Sequence, residues 1–314
     1  YFLSAGLILG GQWAYEELGW GGFWAWDPVE NAALMPWLTG TAFLHSVMIQ
    51  EKRNMLKIWN VVLIIMTFGL TIIGTFLTRS GIINSVHSFT QSEIGPAFLI
   101  YLALILIIGF ALLFKRIQML ESEHKIESVL CRENVFLAQN VLLVGIAFTV
   151  LLGTTFPLLA EAVRGTKLSI QAPFFNTVTA PMGYALLFLM GIGMLISWRK
   201  SNLEGLRRSF QNPIILATVG TIFLTWLLWE KNLRWDVYIT FWSAIFVTSI
   251  IFFELVKASL VKRRQTETNF LKSLFYVIFH NRRRYGGFLI HFGAVLMFLG
   301  FAGTFFSLER DITL

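Results

Sequence analysis

Twelve residues near the start of the chain combine aromatic rings, glycines and two acids in a pattern that suits binding of a large flat ligand. They read Trp-Gly-Gly-Phe-Trp-Ala-Trp-Asp-Pro-Val-Glu-Asn over residues 20–31. Isolated tryptophans collect at membrane interfaces without any ligand, but here three lie within seven residues around a double glycine, which lets a ligand approach the backbone closely. We interpret residues 13–31 as a loop that carries a ligand platform, with an aromatic belt as the alternative. The residues concerned are Trp20, Gly21, Gly22, Trp24 and Trp26.

The acids of this stretch have two possible roles. Asp27 can cap a helix that begins at Pro28, because Asp is favoured at the N-cap and Pro at the first helical position. Glu30 would then match the positive end of the helix dipole. A polar contact to a ligand or a partner is the alternative for both acids. If the stretch before Asp27 were helical, Trp20 and Trp24 would share one face.

Two of the five histidines lie inside apolar stretches. His45 and His291 are each six or seven residues from the same predicted membrane face, a depth of roughly 10 Å at the helical rise per residue. Ionisable residues within a membrane span are costly and are usually functional. Two neutral imidazoles at matching depth on different helices are what a haem with two axial histidines requires. A structural histidine bonded to a neighbouring helix is the alternative for each.

A third histidine, His87, lies in a polar loop on the same predicted side as the tryptophans. Loop histidines are more often solvated, but a nearby aromatic platform makes an axial-ligand role for His87 a competing interpretation. Arg79 precedes it and could pair with a carboxylate such as a haem propionate, or simply anchor the end of a span. His124 and His280 lie among charged loop residues and are interpreted as solvated.

The composition indicates which elements position these residues. The chain has 314 residues, of which 56% are hydrophobic and 14% charged, with a mean hydropathy of +0.67, whereas a soluble domain carries about a quarter charged residues. Repeated apolar runs near 20 residues predict an all-α, polytopic transmembrane bundle, forming a single membrane domain over 1–314. About nine spans are predicted, at 1–12, 31–50, 58–78, 96–114, 135–157, 181–198, 214–229, 237–256 and 285–306.

The distribution of lysine and arginine predicts the orientation. The loops after the second, fourth, sixth and eighth spans hold 19 of these residues, and the remaining loops and the tail hold 6. Because basic loops face the cytoplasm, the tryptophan-rich loop and His87 are expected outside, on the periplasmic side of a bacterial inner membrane. The net charge of +7 then reflects topology, and a nucleic-acid partner is not expected.

Three further segments carry expectations. The basic cytoplasmic segment 257–284 contains an apolar stretch, 269–279, which is either an amphipathic helix in the membrane interface or part of a plain positive anchor. Residues 158–180 are predicted as a loop with a turn at Phe174-Phe175-Asn176. Cys131 is the single cysteine, and without a CxxC pair it is interpreted as a spare thiol in a polar loop.

The tryptophan-rich stretch resembles the WWD signature of the haem-handling proteins of cytochrome c biogenesis. Its continuation from Ala32 to His45 resembles the CcmF-type cytochrome c haem lyase, and so do the segment that ends at His87, the Thr-Thr-Phe-Pro stretch at 154–157 and the Phe-Phe-Asn segment. The resemblance covers essentially the whole chain, and its long continuation favours this family, including its nitrite-reductase-associated paralogue, over the CcmC and CcsA relatives. The chain is expected to be a fragment that lacks N-terminal spans and a C-terminal periplasmic domain.

The resemblance implies a holocytochrome c synthase that acts as part of a complex. It implies a permanent haem b between His45 and His291, and a transient substrate haem on the platform with His87 on its iron. It also implies as partners a CcmE-type haem chaperone, CcmH- and CcmI-type proteins, apocytochrome c, membrane lipid and, as a further candidate, quinol. A haem exporter or chaperone of the CcmC/CcsA type and a b-haem electron-transfer subunit are the alternatives. The implied catalytic residues are Trp20, Trp24, Trp26, Asp27 and His87, and the implied haem contacts are His45, His291, His87, Gly21, Gly22, Trp24, Trp26 and Arg79.

Overall fold

The computed structural model describes residues 1–18, 22–80, 94–122, 124, 126–165, 168, 170–229, 233–303 and 306. Trp20, Gly21 and His87, which were predicted to belong to the site, lie outside these described residues. The described part of the chain forms helices and no strands. Its α-helices are α1 Phe2–Glu17, α2 Pro28–Arg53, α3 Lys57–Arg79, α4 Gly95–Lys115, α5 Arg132–Arg164, α6 Ala172–Leu195, α7 Leu203–Leu227, α8 Trp235–Thr266, α9 Phe270–His280 and α10 Arg282–Gly303, and a short 3-10 helix covers Ile117–Leu120.

Eight of the described helices are long and apolar enough to cross a membrane, namely α2 to α8 and α10. They match eight of the nine predicted spans, so the expectation of an all-α, multi-pass membrane protein is confirmed. The first predicted span corresponds to α1, which has 16 residues.

The chain divides into two compact units. The first contains residues 1–127 and 136–183, and the second contains residues 128–135 and 184–314. In the first unit α2 packs against α1 and α3, and α3 packs against α4. Gly74 permits a close approach of α3 to α2, because a side chain there would begin 3.2 Å from the carbonyl oxygen of Ala32. That oxygen has no intrahelical partner, since Pro36 lacks the N–H that would bond to it.

The second unit is built around α8, which packs against α7, α9 and α10. Phe246 and Val247 are fully buried on α8, and the Phe246 ring stacks on Trp242 with centroids 5.1 Å apart. Gly191 of α6 gives this ring its space, because a Cβ there would lie 2.7 Å from it. The result is an aromatic core where α6 packs against α8.

Two segments differ from or refine the sequence prediction. The predicted turn at Phe174-Phe175-Asn176 is wrong, because α6 already begins at Ala172. Pro173 explains the earlier start, since a proline in the first helical turn fixes a helical φ and gives up no intrahelical hydrogen bond. The stretch at 269–279 is confirmed as a helix, α9, whose N-cap residue Asn269 accepts a hydrogen bond from the backbone N–H of Lys272 at 2.9 Å.

Candidate functional site

The tryptophan-rich loop leads directly into a fully formed helix cap. The Asp27 carboxylate accepts a hydrogen bond from the N–H of Val29 at 2.9 Å, and Glu30 Oε2 accepts from the N–H of Asp27 at 3.1 Å. These two bonds form a capping box. The Asp27 cap and Pro28 at the first helical position were predicted from the sequence, and the return bond to Glu30 was not. Glu30 Oε2 also accepts from the N–H of Ala25 at 3.0 Å, so the two acids fix the backbone on both sides of Trp26.

Trp26 is held by contacts at its ring, its indole nitrogen and its backbone. The indole N–H donates to Asn176 Oδ1 at 2.8 Å, and the ring stacks on Phe175 with centroids 4.9 Å apart and an interplanar angle of 11°. Its φ is +59°, a left-handed conformation that is uncommon for a bulky residue. The Asn31 amide donates to the Trp26 carbonyl at 3.0 Å and helps to hold that conformation.

A buried layer beneath Trp26 supports these contacts. Asn31 is 1% exposed, and its amide also donates to Thr154 Oγ1 on α5 at 3.0 Å. Phe175 is 2% exposed and lies against Gly153, where a Cβ would come within 2.5 Å of the ring. The position of Trp26 is therefore set by residues of α2, α5 and α6, and those of α5 and α6 lie more than a hundred positions from it in the sequence.

Trp24 continues the aromatic surface. Its ring meets Trp26 edge to face, with centroids 6.0 Å apart and an interplanar angle of 90°, and it is half-buried. The neighbouring Phe23 stacks on Tyr15 of α1 at 4.4 Å. Residues 22–27 are not helical, so the condition under which Trp20 and Trp24 would share a helical face is not met in the described part of this loop.

Of the two glycines predicted to let a ligand approach, Gly22 is described. No described atom lies within 4 Å of the position where its Cβ would be. Arg79, the other predicted contact, is the last residue of α3 and is exposed.

His45 is fixed on α2 in one tautomer. Its Nδ1 lies 2.9 Å from the carbonyl oxygen of Thr41, one turn earlier, and its ring meets Phe136 of α5 edge to face at 5.5 Å. A carbonyl oxygen can only accept, so Nδ1 carries the proton and Nε2 carries the lone pair. A carbonyl bond of this kind is the usual support for a metal-ligating histidine.

His291 repeats this arrangement on α10 in the second unit. Its Nδ1 lies 2.7 Å from the carbonyl oxygen of Gly287, which again places the lone pair on Nε2. The glycines of this helix differ from Gly74, because no described atom lies within 4 Å of a Cβ built at Gly286, Gly287, Gly293, Gly300 or Gly303.

Known proteins resemble this chain in sequence and in fold. A family model described as "Cytochrome C assembly protein" matches residues 1–83, which include the tryptophan-rich loop and His45. The Escherichia coli cytochrome c-type biogenesis protein CcmF is 35% identical over 99% of this chain and 46% of its own length. A solved structure titled "Cytochrome c Heme Lyase CcmF" superposes with a TM-score of 0.73 at 34% identity, covering 96% of this chain and 43% of that one. The chain is therefore similar over nearly its whole length to the CcmF family of cytochrome c-type biogenesis proteins.

A second relative matches a shorter part of this chain. The Rhizobium meliloti cytochrome c-type biogenesis protein CycK is 45% identical over 65% of this chain and 30% of its own length. The chain thus spans less than half the length of these curated CcmF-family relatives.

The single cysteine of this chain is not arranged for thiol chemistry. Cys131 is buried, and its thiol donates to the carbonyl oxygen of Ser128 at 2.9 Å. Burial raises the pKa of the Cys131 thiol above its ordinary value, with the nearby Glu133 carboxylate adding to the rise. The thiolate, which is the reactive form, is therefore disfavoured.

Residue-by-residue reasoning missed the residues that hold Trp26, namely Phe175, Asn176, Thr154 and Asn31. All four belong to the stretches that carry the CcmF resemblance, so the signal was present without a physical role attached to it. Asn31 offered a second signal, because a buried amide must have hydrogen-bonding partners.

Proposed function

We propose that this chain is the haem-handling part of a cytochrome c haem lyase, which attaches haem to the CxxCH motif of apocytochrome c. The observation that carries the proposal is the fixed aromatic surface of Trp24 and Trp26. The CcmF-family relatives support it, and because the chain covers less than half of their length, both the activity and the partners are proposals.

The aromatic surface suits a transient substrate haem. A planar macrocycle gains stacking and apolar contact on rings that are already held in place, so little ordering of side chains opposes binding. Trp20, Gly21 and Gly22 would extend this floor, His87 would be an axial ligand of the substrate iron, and Arg79 would pair with a propionate. Asp27 would act through the capping box, which keeps Trp26 in position.

The histidines of α2 and α10 fit the axial positions of a permanent haem b. Each presents Nε2 as the nitrogen with the lone pair, which is the donor that haem iron takes from a neutral histidine. The pairing of His45 with His291 on one iron is a prediction from their depth in the sequence, and each is described within its own unit. When bound, this haem would supply electrons for reducing the substrate iron.

The remaining contribution of the chain would be positioning rather than bond making. The thioether bonds join apocytochrome thiols to the haem vinyl groups, so the protein has to hold the two reactants in register. Haem would arrive from a CcmE-type chaperone, and CcmH- and CcmI-type partners would present reduced apocytochrome c. The disfavoured Cys131 thiolate supports assigning thiol reduction to a separate partner. Quinol is a candidate electron donor.

The proposed setting is the bacterial inner membrane, with the tryptophan-rich loop on the periplasmic side. The concentration of lysine and arginine in alternate loops supports this orientation. Apocytochrome c and the haem chaperone would then meet the aromatic surface in the same compartment.

Replacing the aromatic rings tests the proposal. In the assembled maturation system, Trp24→Ala with Trp26→Ala should reduce holocytochrome c at least tenfold while the b-type spectrum of the purified protein is retained. The matched control is Trp226→Ala, which removes an exposed tryptophan of α7 and should leave maturation unchanged. Normal holocytochrome c in the double variant would contradict the platform.

The amount of haem bound to the CcmE-type chaperone distinguishes a lyase function from an exporter function. A defective lyase should leave the CcmE-type chaperone carrying haem that it cannot pass on. A defective exporter should leave the chaperone without haem, and that result with the tryptophan variants would favour the export alternative.

A further inference from the structure

Helix α9 has a face that packs and a face that does not. Ser273 and Val277 are buried where α9 packs against α8. Leu271, Phe275 and Phe279 follow each other at intervals of four residues and are 62%, 58% and 60% exposed. Residues four apart lie on one side of a helix, so these three form an apolar stripe that the described part of the chain leaves uncovered.

A third face of α9 is polar. It carries Lys272, Tyr276 and His280, which are all exposed. The Lys262 ammonium of α8 lies 4.1 Å from the centre of the Tyr276 ring, and the His280 ring stacks on Tyr276 at 5.1 Å. Helix α9 thus has an apolar stripe on one side and a cationic edge, formed by Lys272 and by Lys262 of α8, on another. This is the pattern of helices that lie in a membrane interface.

The charged residues in and around α9 are almost all positive. Residues 257–284 contain eight lysines and arginines and a single acid, Glu267. Arg263 and Arg264 precede α9 and are exposed. Arg282 follows it, and its Nε donates to the carbonyl oxygen of Phe279 at 3.1 Å, which places a guanidinium at one end of the apolar stripe.

The neighbouring helices keep α9 close to the bilayer. It lies between α8 and α10, which both have the length and hydropathy of membrane spans. Three residues separate α9 from the end of α8, and one separates it from the start of α10. With 11 residues it is about 16 Å long, too short to cross a bilayer core of about 30 Å.

We propose that α9 lies in the interface of the cytoplasmic leaflet, inserting Leu271, Phe275 and Phe279 among acyl chains while the cationic edge binds anionic phospholipid headgroups. Lipid is favoured over a protein partner because α9 is held at the end of two spans and because its surroundings carry the charge that anionic lipids attract. This inference stands apart from the haem lyase proposal and does not depend on it.

Depth measurements test the insertion. The protein, carrying Cys131→Ser, would be reconstituted into phosphatidylglycerol-containing nanodiscs with a nitroxide at Phe275→Cys, Phe279→Cys, Lys272→Cys or Tyr276→Cys. We expect the first two labels to collide mainly with oxygen and the last two with a water-soluble nickel complex. Equal access of nickel to all four labels would overturn the proposal. The proposal would also be overturned if nickel reached the labels at Phe275 and Phe279 until partner proteins were added, because a protein would then cover the apolar stripe.

Lipid selectivity tests the cationic edge. Native mass spectrometry would measure the ratio of bound phosphatidylglycerol to bound phosphatidylcholine in the Lys272→Gln/Arg282→Gln variant and in the unchanged protein. Each cation near a membrane surface contributes about fivefold in affinity for anionic lipid, so the preference for phosphatidylglycerol should fall by more than fivefold. The matched control, Lys115→Gln/Arg116→Gln at the end of α4, should leave most of the preference intact. An equal loss in both variants would show that the membrane attracts the charges without a site at α9.

Discussion

The two helices that carry the intramembrane histidines differ sharply in how the protein surrounds them. In the most apolar 18-residue stretch of α2 44% of the residues are buried, against 11% in that of α10. Yet His45 and His291 have the same local geometry, with Nδ1 on the carbonyl oxygen one turn earlier. This geometry is therefore set within each helix, and it does not depend on how much of the helix the rest of the protein buries.

The glycines show the same contrast. Gly74 faces α2 so closely that an added Cβ would lie 3.2 Å from the Ala32 carbonyl oxygen and 3.3 Å from its Cβ. Gly293, two residues after His291, has no described atom within 4 Å of its Cβ position. On α3 a small residue serves helix packing, whereas on α10 it leaves space that a flat group could occupy.

The largest effect is expected from removing either histidine. His45→Ala and His291→Ala should each abolish the low-spin b-type absorption of the purified protein, because each would remove one axial ligand of the proposed haem b. Since α2 is packed independently of His45, added imidazole should restore part of the spectrum in the first variant. His124→Ala is the control, as that residue lies in a loop outside the spans. A variant of His45 or His291 that keeps the wild-type spectrum would break the pair assignment.

An intermediate effect is expected from replacing Gly74 or Gly293 with alanine. The effect would be measured as a change in the free energy of unfolding of the protein in detergent. Gly74→Ala forces a Cβ against backbone and should destabilise by about 1–3 kcal/mol, as overpacking does. Gly293→Ala meets open space and should be neutral or stabilising by up to about 1 kcal/mol, because alanine is the better helix former. Equal costs at the two positions would mean that α10 is packed as closely as α3.

The smallest effect is expected at Cys131. Because burial raises its pKa, alkylation by iodoacetamide should be slow at neutral pH and accelerate only above the pKa of an ordinary thiol. The neutral thiol is favoured in the folded state, so its contribution to stability is complete below the unfolded pKa and is lost as the pH rises through the folded one. Cys131→Ala should mature cytochrome c normally, and a large loss of product would point to a thiol role.

Features encoded over short distances were predictable from the sequence. The Asp27–Pro28 start of α2 follows from cap preferences, and eight of the spans follow from hydropathy. The predicted turn at 174–176 is wrong because Pro173, in the first turn of α6, favours a helix start there. The bond between Trp26 and Asn176 crosses 150 positions, and no local pattern encodes it. The left-handed backbone of Trp26 also depends on partners that only the fold brings together.

Helix α2 fixes the distance between the tryptophan-rich loop and His45. It carries the Asp27 cap at one end and His45 eighteen positions later, which corresponds to about 27 Å along its axis. If haem binds both at the tryptophans and at His45, one continuous helix fixes the separation between the two irons and prevents them from approaching each other. The weakest point along that length is at Pro36, where a hydrogen bond is missing. Any motion that brings the two haems closer would have to bend α2 at Pro36.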